Sequence, residues 1–105
     1  MNFTLKCFKC GKVLPESEMH LSHDIPKYLG GTDKDGRHYL CPDHHFDYEI
    51  RILCECLKSI GEELIEGEEM QLMIALSKQP EELKIKFREI AQKIRERFYG
   101  NSNTT

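Results

Sequence analysis

Cys7 and Cys10 stand two residues apart in the segment CFKCG, and Cys41 and His44 bracket the same spacer in CPDH. Each short spacer lets both members of a pair reach one ion, and three thiolates with one imidazole are the soft and borderline donors that tetrahedral zinc takes. The chemistry expected of Cys7, Cys10, Cys41 and His44 is therefore structural zinc binding. A competing set would join Cys7 and Cys10 to His20 and His23, as in a finger of the Cys2His2 kind. Its spacing is short, with nine residues between Cys10 and His20 and two between the histidines, where about twelve and about three to five are usual.

The chain has 105 residues and five cysteines, an odd number. Thiols persist as thiols in a reducing compartment, so metal ligation explains them better than a disulfide framework. Nothing near the N-terminus, which reads MNFTLKCFKC, forms an apolar secretory stretch, and the expected location is cytoplasmic. No run approaches the ~18–20 apolar residues of a membrane span, so no membrane partner is expected. Cys54 and Cys56 lie in a helical pattern, where residues two apart point to different faces and chelate poorly. Cys54, beside Leu53, reads as a core residue and Cys56 as an ordinary one.

With the zinc ligands set aside, His20, His23, His38 and His45 remain, clustered with Asp24, Asp33, Asp35 and Asp43. The segment SHDIPKYLGGTDKDGRHYLCPDHH, residues 22–45, resembles the HNH nuclease motif, a histidine–metal finger on a zinc-binding treble clef. The likeness lies in the order of a His-x-x-Pro segment, the Gly30-Gly31 turn, a hairpin and the Leu40-to-His45 block.

The resemblance implies a DNA endonuclease in which His23 is the general base that takes a proton from water, a task suited to a pKa of about 6.5. It implies that His45 binds a catalytic magnesium or manganese ion steadying the scissile phosphate. His44 stands where the family usually has a cysteine. Two positions depart from the pattern: Ser22 occupies the place of an acidic or histidine ligand, and Gly36 falls where the middle asparagine belongs. Substitutes could come from His38, Asp24, Asp35 or His20; of these, His38 and Asp24 are the expected cofactor-binding residues. The alternative function is a non-catalytic zinc module that binds a protein or nucleic-acid partner.

The elements that must position these residues divide near residue 45. Residues 1–45 hold all five histidines, the Gly-Gly pair and the turn-rich stretch Thr32 to Gly36, which favours loops and short strands. Strands are expected at Asn2–Phe8 and at Arg37–Leu40, the second entered by a tight turn at Asp35-Gly36. From Pro42 the pattern is helical. Phe46, Ile50, Leu53, Leu57, Ile60 and Leu64 form one apolar stripe that predicts a helix running to about Glu66. Met70 to Leu76 predicts a short helix before Pro80. A last helix is expected from Glu81 to about Tyr99, burying Leu83, Phe87, Ile90, Ala91, Ile94 and Phe98.

The expected fold is thus α+β: a small zinc-stapled treble-clef (ββα-metal) module over 1–66, a C-terminal helical extension over 67–100, and a flexible tail over 101–105. Charge is uneven, with 6 Lys/Arg against 6 Asp/Glu in residues 1–45, 3 against 8 in 46–79, and 6 against 4 in 80–105. A net charge of −3 excludes a broadly basic nucleic-acid coat, so a DNA contact would be focused. On the last helix, Lys84, Lys86, Arg88, Lys93, Arg95 and Arg97 read as a solvated charged face, with a phosphate-tracking stripe through Lys84, Arg88 and Arg95 as the alternative. The same helices could recruit a protein partner or a second copy of the chain.

Overall fold

A computed structural model describes residues 3–100, so the expected tail at 101–105 lies outside the described residues. Strands β1 (Thr4–Lys6) and β2 (Val13–Pro15) form one antiparallel hairpin, and β3 (His20–His23) and β4 (Arg37–Leu40) form another. Three helices follow: α1 (Pro42–Ser59), α2 (Glu69–Ser77) and α3 (Glu81–Phe98). A knuckle, a hairpin and a helix in this order are the parts of a treble clef, and the α+β class expected from the sequence is the one observed.

The knuckle lies between β1 and β2. Its turn is closed by Cys7 N–H donating to Lys12 O at 2.8 Å and Gly11 N–H donating to Cys7 O at 2.8 Å. Gly11 has φ +78°, a left-handed conformation that glycine adopts without steric cost. Among the described residues of the expected first strand, Thr4–Lys6 is the paired part, with Lys6 opposite Val13 and Thr4 opposite Pro15.

In the second hairpin His20 pairs with Leu40 and His23 with Arg37. Arg37–Leu40 forms as expected, but the tight turn does not: β3 and β4 are joined by the whole loop from Asp24 to Gly36. Two 3-10 turns, Lys27–Leu29 and Asp33–Asp35, shape that loop. Thr32 and Asp35 cap the second of them reciprocally, the Thr32 hydroxyl accepting from Lys34 N–H and the Asp35 carboxylate from Thr32 N–H, so two otherwise unpaired donors are satisfied.

Pro42 and Asp43 open α1 as expected, with no N–H lost at the first position and a negative charge at the positive end of the helix dipole. The helix stops at Ser59, short of Glu66, because the chain turns at Gly61 with φ +77°. Ile60 and Leu64 keep the apolar spacing but pack from a non-helical segment. The buried stripe is Tyr48, Ile52, Leu53, Cys56 and Leu57, while Phe46 is 61 % exposed. Cys54 is half-buried and Cys56 fully buried, the reverse of their expected places, because the helix turns its Ile52–Cys56 edge toward α3.

One core joins both expected segments of the chain: Tyr48, Ile52, Leu53 and Leu57 from α1 meet Leu76 from α2 and Phe87, Ala91, Ile94 and Phe98 from α3. Leu29 and Leu40 close it from the β-rich half. The helix begins with Glu81 and Glu82 and ends with Arg95 and Arg97 in its last turn, a charge order that suits its dipole.

Candidate metal centre and histidine cleft

The ligand atoms of Cys7, Cys10, Cys41 and His44 all lie within 4.8 Å of one another. Cys7 leaves β1, Cys10 follows in the knuckle turn, Cys41 is the residue just before α1, and His44 sits on its first turn. His44 Nδ1 is 3.2 Å from Cys41 Sγ and 3.9 Å from Cys7 Sγ. Ligands at about 2.0–2.3 Å from a tetrahedral zinc stand about 3.5–3.8 Å apart, so these spacings fit the ion. The four residues form a cluster that can hold a metal such as zinc.

The thiols are prepared unequally. Burial opposes ionisation of Cys7, but the main-chain groups of Cys41, Cys10 and Lys9 and the Cys10 side chain bring it down to about 6. Cys41 is pushed up, by burial first and then by the adjacent Cys7. A bound cation would remove this conflict, because a coordinated thiol gives up its proton. Phe98, the last residue of α3, stands edge-on to the His44 ring at 6.3 Å.

A second constellation faces a cleft of about 510 Å³ between β3, α1 and the loop. His20, His23, His45 and Glu49 line it, together with Phe46 and Lys27. His20 Nδ1 and His45 Nδ1 are 2.8 Å apart, and His45 Nε2 is 3.4 Å from Glu49 Oε1, one helical turn on. His23 Nε2 lies 2.9 Å from Asp33 Oδ1. The Asp33 carboxyl is held below its ordinary range, by the His23 hydrogen bond first and by the charge of Arg37 next.

His23 and His45 are thus brought to one cleft, whereas Asp24 and His38 do not line it. Asp24 is fully buried, and its Oδ1 meets His38 Nδ1 at 2.6 Å while its Oδ2 accepts from Arg95 Nε at 2.7 Å. Its main-chain carbonyl accepts from the Tyr48 hydroxyl at 2.5 Å. His38 itself stacks on Tyr99 with centroids 4.1 Å apart and meets Phe8 at 4.4 Å. Both carboxylate oxygens of Asp24 are thus engaged by partners that lie away from the cleft.

Reading the sequence alone gave no role to Glu49 or Asp33. Glu49 follows His45 by four residues on a helix, a spacing that puts both on one face and could have flagged it. Asp33 carries no such signal, since only the fold of the loop brings it to His23.

The basic residues of α3 divide: Lys86, Lys93 and Arg97 are exposed as expected, whereas Lys84, Arg88 and Arg95 are half-buried. Arg88 Nη1 donates to Leu29 O at 2.7 Å, Lys84 Nζ to Ser77 O at 3.4 Å, and Arg95 to Asp24. All three tie the helix to the rest of the molecule rather than standing free in water.

Comparison with family models, with curated proteins and with solved structures finds no match to this chain. Among the described residues no helix is long and apolar enough to cross a membrane.

Proposed function

We propose that the chain is a zinc-stapled endonuclease of the HNH kind, hydrolysing DNA phosphodiester bonds in the cleft between β3 and α1 with the aid of a divalent ion. The observation that carries this reading is the shared cleft: His23, with its own carboxylate partner, lies in the same depression as the His20–His45 pair and Glu49.

The division of labour follows from the hydrogen bonds. With Nε2–H donated to Asp33, the lone pair of His23 Nδ1 is left to take a proton from water. The Asp33 carboxylate then steadies the imidazolium as it forms, as an orienting carboxylate does for other catalytic histidines. Two nitrogen ligands at about 2.1 Å from one ion and at right angles stand about 3 Å apart, close to the 2.8 Å between His20 and His45. An ion held there would neutralise charge on the phosphate and the leaving oxygen. Imidazole donors favour transition metals over magnesium, so manganese is the better of the two expected cofactors, with His20 taking the part that Ser22 leaves vacant.

Nicking of supercoiled plasmid by zinc-loaded protein with added manganese or magnesium tests the reading. Cleavage lost in His23→Ala, and requiring more manganese in His20→Ala and His45→Ala, is the expected result. Absence of cleavage by the unaltered protein under any divalent ion would overturn it. The zinc module would then be a binding unit, for which Met70 and Ile74, 67 % and 47 % exposed on α2, supply an apolar contact surface.

A further inference from the structure

We propose that Arg95, on the last turns of α3, is a positioning residue for the His23–Asp33 pair: acting through Asp24, it fixes the loop that delivers Asp33 to His23. The inference rests on His23 as the base, and it extends that reading by making the C-terminal helix part of the site.

His23 and Asp33 belong to different segments. His23 ends β3, and Asp33 lies in the 3-10 turn near the far end of the loop. Their 2.9 Å contact therefore exists only while the loop is closed onto the strand. The ladder pairs His23 with Arg37, and Asp24, the residue after His23, carries that closure into the loop. Its N–H donates to Gly36 O at 2.9 Å, and its Oδ2 lies 2.5 Å from where a Cβ on Gly36 would stand. Asp24 thus fastens the first residue of the loop to the last.

Asp24 can do this only if its carboxylate is compensated, because a buried charge without a partner is costly. Two groups reach it, His38 at Oδ1 and Arg95 at Oδ2. His38 supplies one ring nitrogen, whereas a guanidinium is always charged and presents a rigid N–H fork. Arg95 is consequently the partner whose loss removes a permanent charge from beside Asp24 and lets it turn away from Gly36. Arg88, two turns earlier on the same helix, holds the same loop at Leu29 O, so α3 grips the loop at two points.

The test compares the zinc-loaded unaltered protein with Arg95→Met and Arg95→Lys by nitrogen NMR of the His23 ring and by plasmid nicking. His23 in the unaltered protein is expected as a single tautomer with the proton on Nε2. Arg95→Met should mix the tautomers and lower kcat about tenfold to a hundredfold while KM stays within about twofold. Arg95→Lys, which keeps a cation for Asp24 but loses the fork, should fall between the two.

An unchanged His23 tautomer in Arg95→Met overturns the proposal even if that variant is less stable. Should Arg95→Met fail to fold, an unchanged tautomer in Arg95→Lys overturns it and a mixed one supports it. The NMR result stands whether or not the unaltered protein cleaves DNA, so failure of the nuclease reading and failure of this one are told apart.

Discussion

A Cβ on Gly36 would stand 2.5 Å from Oδ2 of Asp24, so the two residues contend for one space and Asp24 holds it. This is the physical reason why position 36 carries no side chain where the HNH resemblance would place an asparagine. The backbone agrees, since Gly36 has φ +111°, a region that L side chains avoid.

Installing the missing side chain should therefore harm the protein. Gly36→Asn is expected to cost about 2–4 kcal/mol through the collision and the strained backbone together. Urea denaturation of the zinc-loaded variant measures it, and stability equal to the unaltered protein would show that Asp24 can move aside.

Metal removal should be felt first in the β-rich half. The hairpins contribute few buried side chains to the core, so a chelator is expected to collapse the amide dispersion of β1–β4. Loss of a mere outer partner of a ligand costs about 10–100-fold in affinity, so Cys10→Ser should weaken zinc binding by more than about a hundredfold. His44→Cys, which supplies a fourth thiolate, should keep one zinc per chain. Competition with a chromogenic chelator reads both variants.

Asp33 sets a pH dependence of definite sign. Its folded-state carboxyl lies below the ordinary value because His23 donates to it and Arg37 adds positive charge. The ionised form is thus favoured by folding, and its contribution to stability is complete above the ordinary carboxylate range and lost as pH falls through the lowered folded value. Carboxyl-carbon NMR should place the Asp33 titration below 3.8, its ordinary value, and His23→Ala, which removes the donor, should move it upward. A midpoint unchanged by His23→Ala would refute the pairing in solution.

The two helical cysteines should part company. Cys56 has no exposed surface, and burial followed by the charge of Glu55 pushes its thiol up to about 12. It should resist alkylation at neutral pH in the folded state, and Cys56→Ser should cost about 1–3 kcal/mol by burying a hydroxyl. Cys54→Ser, at a half-buried place, should stay within about 0.5 kcal/mol. Equal costs would mean that α1 is rotated from the orientation described.

The Cys7, Cys10, Cys41 and His44 cluster was legible because each pair is local: a two-residue spacer is visible in the sequence wherever the chain goes afterwards. The helices were legible for the same reason, apart from α1, whose apolar period runs on through Ile60 and Leu64 although Gly61 turns the backbone. Strands β2 and β3 were not legible. They are three and four residues long, and β3 carries histidines and a serine rather than the β-branched side chains that advertise a strand.

Contacts between distant residues were hidden altogether. His20 meets His45 across 25 positions and Arg95 meets Asp24 across 71. Nothing in either local sequence distinguishes such an arginine from those that face water, which is why Lys84, Arg88 and Arg95 read as a solvated face. The resemblance makes Asp24 and His38 substitutes for the ligands missing at Ser22 and Gly36, and only the fold shows that they bond to each other.

Lys9, within the zinc knuckle, donates to the main-chain carbonyl of Phe98 across 89 positions and stands 4.7 Å from the centre of that ring. The knuckle is therefore tied to the end of α3, an element that follows it by most of a hundred residues. A chain folded only as far as α2 would lack the Phe98 contacts to Lys9 and His44, and closing so long a loop carries an entropic cost that precedes them. The Cys7, Cys10, Cys41 and His44 cluster and the end of α3 thus complete one another.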